Sequence, residues 1–278
     1  MRQRLLIVAA VAAALLLLLM LTVAFIPNEA LRGVLSRGLE SRGFLLQSGK
    51  VTKAFPLGIR VRNLTIGNDQ GALIKADDAA VRLHVLPLLI GRVRVGLDAR
   101  IGGGGVIGSY TATGGGSIVL TARAVRLEDI PFFSTKASAQ VKGDLRGHAE
   151  IRKLRSTPGG DIQVEAKAVE LAGVKIGVMP LPDAAYSLAQ IKLRVTGGRI
   201  LLQSATMQGE GLYVRLKGDV PLVASLPSAP LNLILELMPK PEFMERQKFV
   251  FLLLAKYLDT PGHYQIPIRG TLSHPSVF

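Results

Sequence analysis

The chain reads as mainly β: one N-terminal transmembrane helix followed by a large curled antiparallel β-sheet or sandwich with one or two short helices. Three observations predict this. Leu5 to Ile26 is an apolar run of 22 residues without a charge. Beyond Ile26, apolar and polar residues alternate in segment after segment, and a period of two puts one face of a strand in a core and the other in water. Gly or Pro stands in nearly every gap, with 30 Gly and 15 Pro in the chain, as the tight connections of antiparallel meanders require.

At about 1.5 Å per residue the apolar run is long enough to cross a hydrocarbon core of roughly 30 Å. It outruns the apolar region of a cleaved signal and closes on Ala24-Phe25-Ile26-Pro27, which offers no small-x-small cleavage site. A retained anchor is expected. Arg2 and Arg4 precede it, while Arg32, Arg37 and Arg42 follow soon after, so the Lys/Arg bias that sets topology is nearly balanced. Long domains translocate largely regardless of charge, and an exported domain is allowed. The expected division is a stub over 1–4, an anchor over 5–26, a juxtamembrane amphipathic helix over 27–43 and a β domain over 44–278. The helix is capped by Asn28, carries Leu31, Val34, Leu35 and Leu39 on one stripe, and stops at Gly43.

Strands are expected where the alternation is strict. Leu57, Ile59 and Val61 enclose Arg60; Val81, Leu83 and Val85 enclose Arg82 and His84; Val93, Val95 and Leu97 follow. Further sets are Ile118 to Leu120, Ile162 with Val164, Val174 to Val178, Ile191 to Val195, Leu212 to Leu216, Leu231 to Leu235, and Tyr264 to Ile268. Helices are expected only at Glu242 to Leu258 and as a turn near Leu127 to Phe133. So few helices cannot cover ten or more strands. The sheet therefore closes on itself, or leaves an apolar groove beside the membrane. Ile59, Val61, Val81, Leu83, Val93, Val95 and Leu193 are the candidate lining of such a groove; the same residues would otherwise form a closed core.

Lys and Arg number 34 against 20 Asp and Glu, a net charge of +14. The wet face is basic, with Arg60, Arg62, Arg82, Arg92, Arg94, Lys192, Arg194, Arg215 and Lys217. Solvation explains it, and so would an acidic lipid surface or an acidic partner protein. Nucleic acid is not an expected partner: single-strand binders interleave cations with stacking aromatics, and here Trp is absent and Phe and Tyr are scattered.

Catalytic signals are missing. There is no phosphate loop, no H-E-x-x-H and no Cys, and His84, His148, His263 and His274 lie far apart. Gly103, Gly105 and Gly108 spell G-x-G-x-x-G but run into Ser109-Tyr110-Thr111 and a second glycine cluster. A dinucleotide fingerprint must instead open a helix, so this stretch is read as a flexible hairpin. Ser109 has no activating neighbour in sequence. Asp77-Asp78 and Glu128-Asp129 are adjacent carboxylates whose side chains diverge in a strand. No catalytic residue, cofactor or metal is expected.

Two segments carry a resemblance. Phe55-Pro56-Leu57-Gly58-Ile59-Arg60-Val61-Arg62-Asn63-Leu64-Thr65-Ile66, followed by Ala79 to Arg92 with its Leu86-Pro87-Leu88-Leu89, resembles the start of AsmA-like periplasmic domains. Tyr264-Gln265-Ile266-Pro267-Ile268-Arg269-Gly270-Thr271-Leu272-Ser273-His274-Pro275, with the preceding Gly209 to Pro221, resembles the type II secretion system protein N family. With the anchor and the overall size, the resemblance spans most of residues 1–278, although 134–173 matches only in texture. It implies a single-pass protein of the bacterial inner membrane with a periplasmic β domain. The expected function is that of a non-enzymatic accessory subunit of type II secretion, with other secretion subunits as partners. The alternative it implies is an AsmA-like lipid-binding or lipid-transfer protein with phospholipid as ligand. Pro267 inside a strand points to an edge or bulge, which makes Tyr264, Ile266 and Ile268 the candidate edge for a partner strand.

Overall fold

The alternating segments become strands, and the strands join one sheet. The computed structural model describes residues 28–41, 43–55, 57–69, 71–136, 139–176, 179–223 and 228–277. The expected span over 5–26 lies outside them; among the described residues no helix is long and apolar enough to cross a membrane.

Helix α1 (Asn28–Glu40) leads into β1 (Leu45–Gln47), β2 (Val51–Ala54), β3 (Gly58–Asn68) and β4 (Gly71–Leu83). At its end Gly43 has φ +78° and donates its N–H to Glu40 O, a left-handed stop. The single-turn α2 (Val85–Leu89) links β4 to β5 (Arg94–Ile101), β6 (Gly104–Thr111) and β7 (Ser117–Arg126). A 3₁₀ turn (Leu127–Asp129) and α3 (Phe132–Lys136) precede β8 (Gln140–Arg152) and β9 (Gly159–Ala172). The small hairpin of β10 (Lys175–Ile176) and β11 (Met179–Pro180) leads to β12 (Ala184–Thr196), β13 (Arg199–Gln208), β14 (Leu212–Pro221) and β15 (Asn232–Pro239). Helices α4 (Pro241–Arg246) and α5 (Lys248–Leu253) and a 3₁₀ turn (Ala255–Tyr257) come before β16 (Leu258–Thr260), β17 (His263–Gly270) and β18 (Pro275–Val277).

Sixteen of these strands form one antiparallel sheet in the order β1-β3-β4-β5-β6-β7-β8-β9-β12-β13-β14-β15-β17-β16, with β2 beside β3 and β18 beside β17. Almost every neighbour in space is a neighbour in sequence, as short hairpins impose. Both margins are blunt: β1 and β2 share the outside of β3, and β16 and β18 share the outside of β17. Segments of three or four residues leave little unpaired backbone for a stray strand to add to.

Helix α1 packs against β1 and β2, and α3 against β4 and β8; the largest helical cover lies at the C-terminal end. Phe243 and Phe251, from α4 and α5, pack edge to face with ring centroids 6.1 Å apart, and Phe251 lies 5.3 Å from Tyr264 of β17. The β10–β11 hairpin meets β18, with Val174, Ile176, Met179 and Leu181 packed against the same core as Leu233, Leu235, Leu237, Ile266 and Ile268. Val141, Ala166 and Val169 from β8 and β9 belong to this cluster too. The sheet therefore folds toward itself at this end, as a right-twisted sheet of such width must.

Several expectations need correction. Of the two expected forms, a single large antiparallel sheet is found and not a sandwich. Val85 does not continue β4 but opens α2. The single helix expected over 242–258 is broken into α4, α5 and a 3₁₀ turn. The glycine-rich stretch read as a flexible hairpin contains an eight-residue strand, β6.

Candidate functional site: an open apolar sheet face

Residues directly opposite each other in an antiparallel sheet project from the same face. Following the register across the sheet gives one unbroken row: Ile59, Val81, Leu97, Gly108, Leu120, Ala149, Ile162, Leu193 and Leu202. A second row beside it runs Leu83, Val95, Tyr110, Ile118, Ile151, Gly160, Val195 and Ile200. Apart from the phenol of Tyr110, neither row places a polar side chain on this face. The apolar stripe crosses nine strands.

The seven candidate groove residues all belong to this face. Ile59, Val81 and Leu193 lie in the first row, and Leu83 and Val95 in the second. Val61 follows two positions after Ile59, and Val93 precedes Val95 by two. They are not one cluster, since six strands lie between β3, which carries Ile59, and β12, which carries Leu193. Cover differs along the face. Val61 is buried, but Val81 is 45% exposed, Leu120 38% and Ile191, in the neighbouring row opposite Val164, 39%. Side chains so exposed have no second layer above them. Toward β14, β15 and β17 the same face is sealed by α4, α5 and the β10–β11 hairpin, and Val214 is buried there. The result is an apolar face stoppered at its C-terminal end and only partly covered over β4 to β12, where Ala79, Ala166 and Val195 are buried.

The opposite face is the basic one, and much of its charge is matched across strands. Arg60 lies 3.3 Å from Asp78, Arg194 2.9 Å from Asp161 and Arg199 2.6 Å from Asp219. Arg215 and Lys217 both reach Glu236, at 2.5 and 2.7 Å. Burial would raise the carboxyl pKa of Glu236, but hydrogen bonds from Lys217 and Arg215 outweigh it and hold the value below the usual range. Arg82, Arg92 and Arg94 make no ion pair among the described residues and are exposed. Between the rows Thr121, His148, Gln163, Lys192 and Arg123, Arg146, Glu165, Gln190 runs a shallow furrow of about 350 Å³.

The groups considered for chemistry have structural surroundings. Asp78 pairs with Arg60 and Asp129 with Arg126, at 2.9 Å. A Cβ on Gly104 would come 2.3 Å from Ala124 O, and one on Gly108 2.6 Å from Leu120 Cδ2. These glycines therefore let strands and side chains approach. His148 Nδ1 faces Thr121 Oγ1 at 3.1 Å, His263 faces Asp259 and His274 faces Ser273. Among the described residues no three His, Asp or Glu side chains converge on a metal-sized site. Burial pushes the Tyr186 phenol pKa well above its ordinary value, so this core residue stays neutral.

Tyr264, Ile266 and Ile268 do not form a free edge. All three are buried, Ile266 completely, and β17 has β15 on one side and β16 and β18 on the other. Pro267 is accommodated by the gap between those two short strands. Leu231 N–H bonds Gly270 O, so 266 and 268 direct their amides toward β15, while 265, 267 and 269 direct theirs outward. The missing N–H of Pro267 thus costs no ladder bond. Substitution at Ile266 would test the core rather than an assembly surface.

No family model, curated protein or solved structure matches the chain.

The sequence reading omitted Leu97, Leu120, Ile162, Ile191 and Leu202 from the open face. Ile162, Ile191 and the 118–120 segment were legible as strand, but assigning a face needs the register, which bulges at Ala122/Val125 and Lys192/Leu193 shift.

Proposed function

We infer that the chain is a non-enzymatic binding protein of a membrane compartment whose open sheet face holds the acyl chains of a lipid. One observation carries this: a continuous apolar stripe only partly covered over β4 to β12, with Val81, Leu120 and Ile191 exposed on it although Ala79, Ala166 and Val195 are buried. A face this apolar is unfavourable in water, at roughly 25 cal/mol for each Å² left uncovered, and acyl chains match its chemistry. The AsmA-like resemblance of 55–92 supports the same reading.

Native mass spectrometry of the gently extracted full chain, with lipid extraction alongside, tests it. Stoichiometric phospholipid is expected, and it should fall at least several-fold in Val81→Asp and Leu120→Asp variants with unchanged circular dichroism. Lipid that adheres only around an anchor would be insensitive to those substitutions. Absence of lipid, or its full retention in the variants, sinks the reading.

A second reading rests on the resemblance of 209–221 and 264–275 to the type II secretion system protein N family: an inner-membrane accessory subunit whose periplasmic β domain contributes a surface to the secretion assembly. It is favoured by the way both segments build one end of one sheet, as β14 and β17 on either side of β15. Deleting the chain separates the two. Loss of secretion of folded cargo with unaltered outer-membrane phospholipid supports the secretion subunit; altered phospholipid with intact secretion supports lipid binding.

A further inference from the structure

The largest exposed apolar side chains at the N-terminal margin of the sheet gather at one end of its strands. Phe55 is 87% exposed, in the turn between β2 and β3; Leu86 and Ile90, on and just after α2, are 79% and 70% exposed. The register brings these turns together. Ala54 is opposite Gly58, Gly58 is opposite Arg82, and Leu83 N–H bonds Leu57 O, while His84 N–H bonds Arg94 O. Three exposed guanidinium groups, of Arg82, Arg92 and Arg94, sit around the same end. No acidic residue occurs between Asp78 and Asp98. The ion pairs that offset cations elsewhere on the sheet are missing for these three.

We propose that Phe55, Leu86 and Ile90, ringed by Arg82, Arg92 and Arg94, form a shelf that seats in the head-group region of an anionic lipid bilayer. Charge selects the occupant: an apolar knob with unmatched cations beside it is complementary to acyl chains beneath anionic phosphates. A protein partner burying the shelf would have to match all three guanidinium groups or leave them desolvated at a cost. Helix α1 packs against β1 and β2, and β2 is the strand that runs into Phe55. This placement is independent of what the open sheet face holds.

The chain has no Trp, so Leu86→Trp introduces a single reporter. The full chain is studied in vesicles of phosphatidylcholine alone and with phosphatidylglycerol, using lipids brominated high on the acyl chain. Blue-shifted emission and quenching of about two-fold or more are expected with phosphatidylglycerol. In the Leu86→Trp background, Arg92→Glu with Arg94→Glu should weaken this preference by about five-fold or more. Ile107→Trp, on an exposed mid-sheet position of the basic face, should remain unquenched and shows whether the domain merely lies flat. An unquenched reporter at position 86 overturns the proposal. So does equal quenching at 107, or quenching indifferent to phosphatidylglycerol and to the arginine substitutions.

Discussion

Glu236 shows how one side chain ties two strands together. Only 4% exposed, it receives Arg215 from the facing position of β14 and Lys217 from two residues further along. Replacing it by Gln keeps the shape but weakens both charge-assisted bonds, and should cost about 1–3 kcal/mol at neutral pH. Because its folded pKa lies below the unfolded value, the contribution is complete above the ordinary Glu range near about 4.3 and vanishes as pH falls through the folded value. Urea unfolding at pH 7 and pH 3 should show the gap between the native chain and Glu236→Gln closing in acid; an equal gap at both would separate Glu236 from the acid response. The glycines of 103–108 divide at the same scale. Gly104→Ala would drive Cβ into Ala124 O and should cost about 1–3 kcal/mol. Gly103 has open space around its Cβ position and no positive φ, so Gly103→Ala should leave the unfolding midpoint unchanged or slightly raised. Matching losses at both positions would contradict close backbone approach as the reason for Gly104.

Among elements, α5 separates burial from exposure within one turn. Phe251 is buried between Phe243 and Tyr264, whereas Phe249, Leu252 and Leu253 point away and are exposed. Phe251→Ala should cost about 3–5 kcal/mol, and Phe249→Ser should stay within about 0.5 kcal/mol. A large loss at 249, measured by chemical unfolding, would mean the helix packs the other way round. The same contrast explains what could be read in advance. β3, β5, β12, β14 and β17 were legible because Ile, Val or Leu alternates with Arg, Lys or Gln along them. β6 was not, because Gly104 and Gly108 occupy positions that the backbone of β7 and Leu120 fill from next door. β8 hid its apolar face behind Gly147 and Ala149, and β13 lost its period to the bulge opposite Lys192/Leu193. Pro267 was legible as a residue that needs an unpaired outward amide, but not as a residue flanked by two strand fragments that bury its neighbours. That arrangement depends on β16 and β18, which are too short to leave a pattern.

Across the whole molecule, core and open face divide the sheet into unequally stable parts. The contiguous buried cluster draws mainly on β14, β15, β17, α4 and α5, with Leu127, Ala139, Val141, Ala166, Val169 and Tyr186 joining it from the middle of the chain. On β3 to β6 the buried apolar side chains are Val61 and three alanines, Ala76, Ala79 and Ala80. Since local opening is resisted mainly by buried apolar contact, backbone amides of β15 and β17 should exchange with solvent most slowly. Those of β4 to β7 should exchange through sub-global opening at lower free energy, although the hydrogen-bond ladder is continuous across both parts. This ties the fold to the function. If the open face holds acyl chains, lipid must slow exchange selectively in β4 to β9, because the C-terminal core is already sealed. Hydrogen–deuterium exchange of the full chain before and after lipid loading reads both effects at once. Uniform protection without lipid would remove the division into stable and open parts. Unequal protection that lipid leaves unchanged would keep the division but transfer the role of the sheet to a protein surface, as in the secretion-subunit reading.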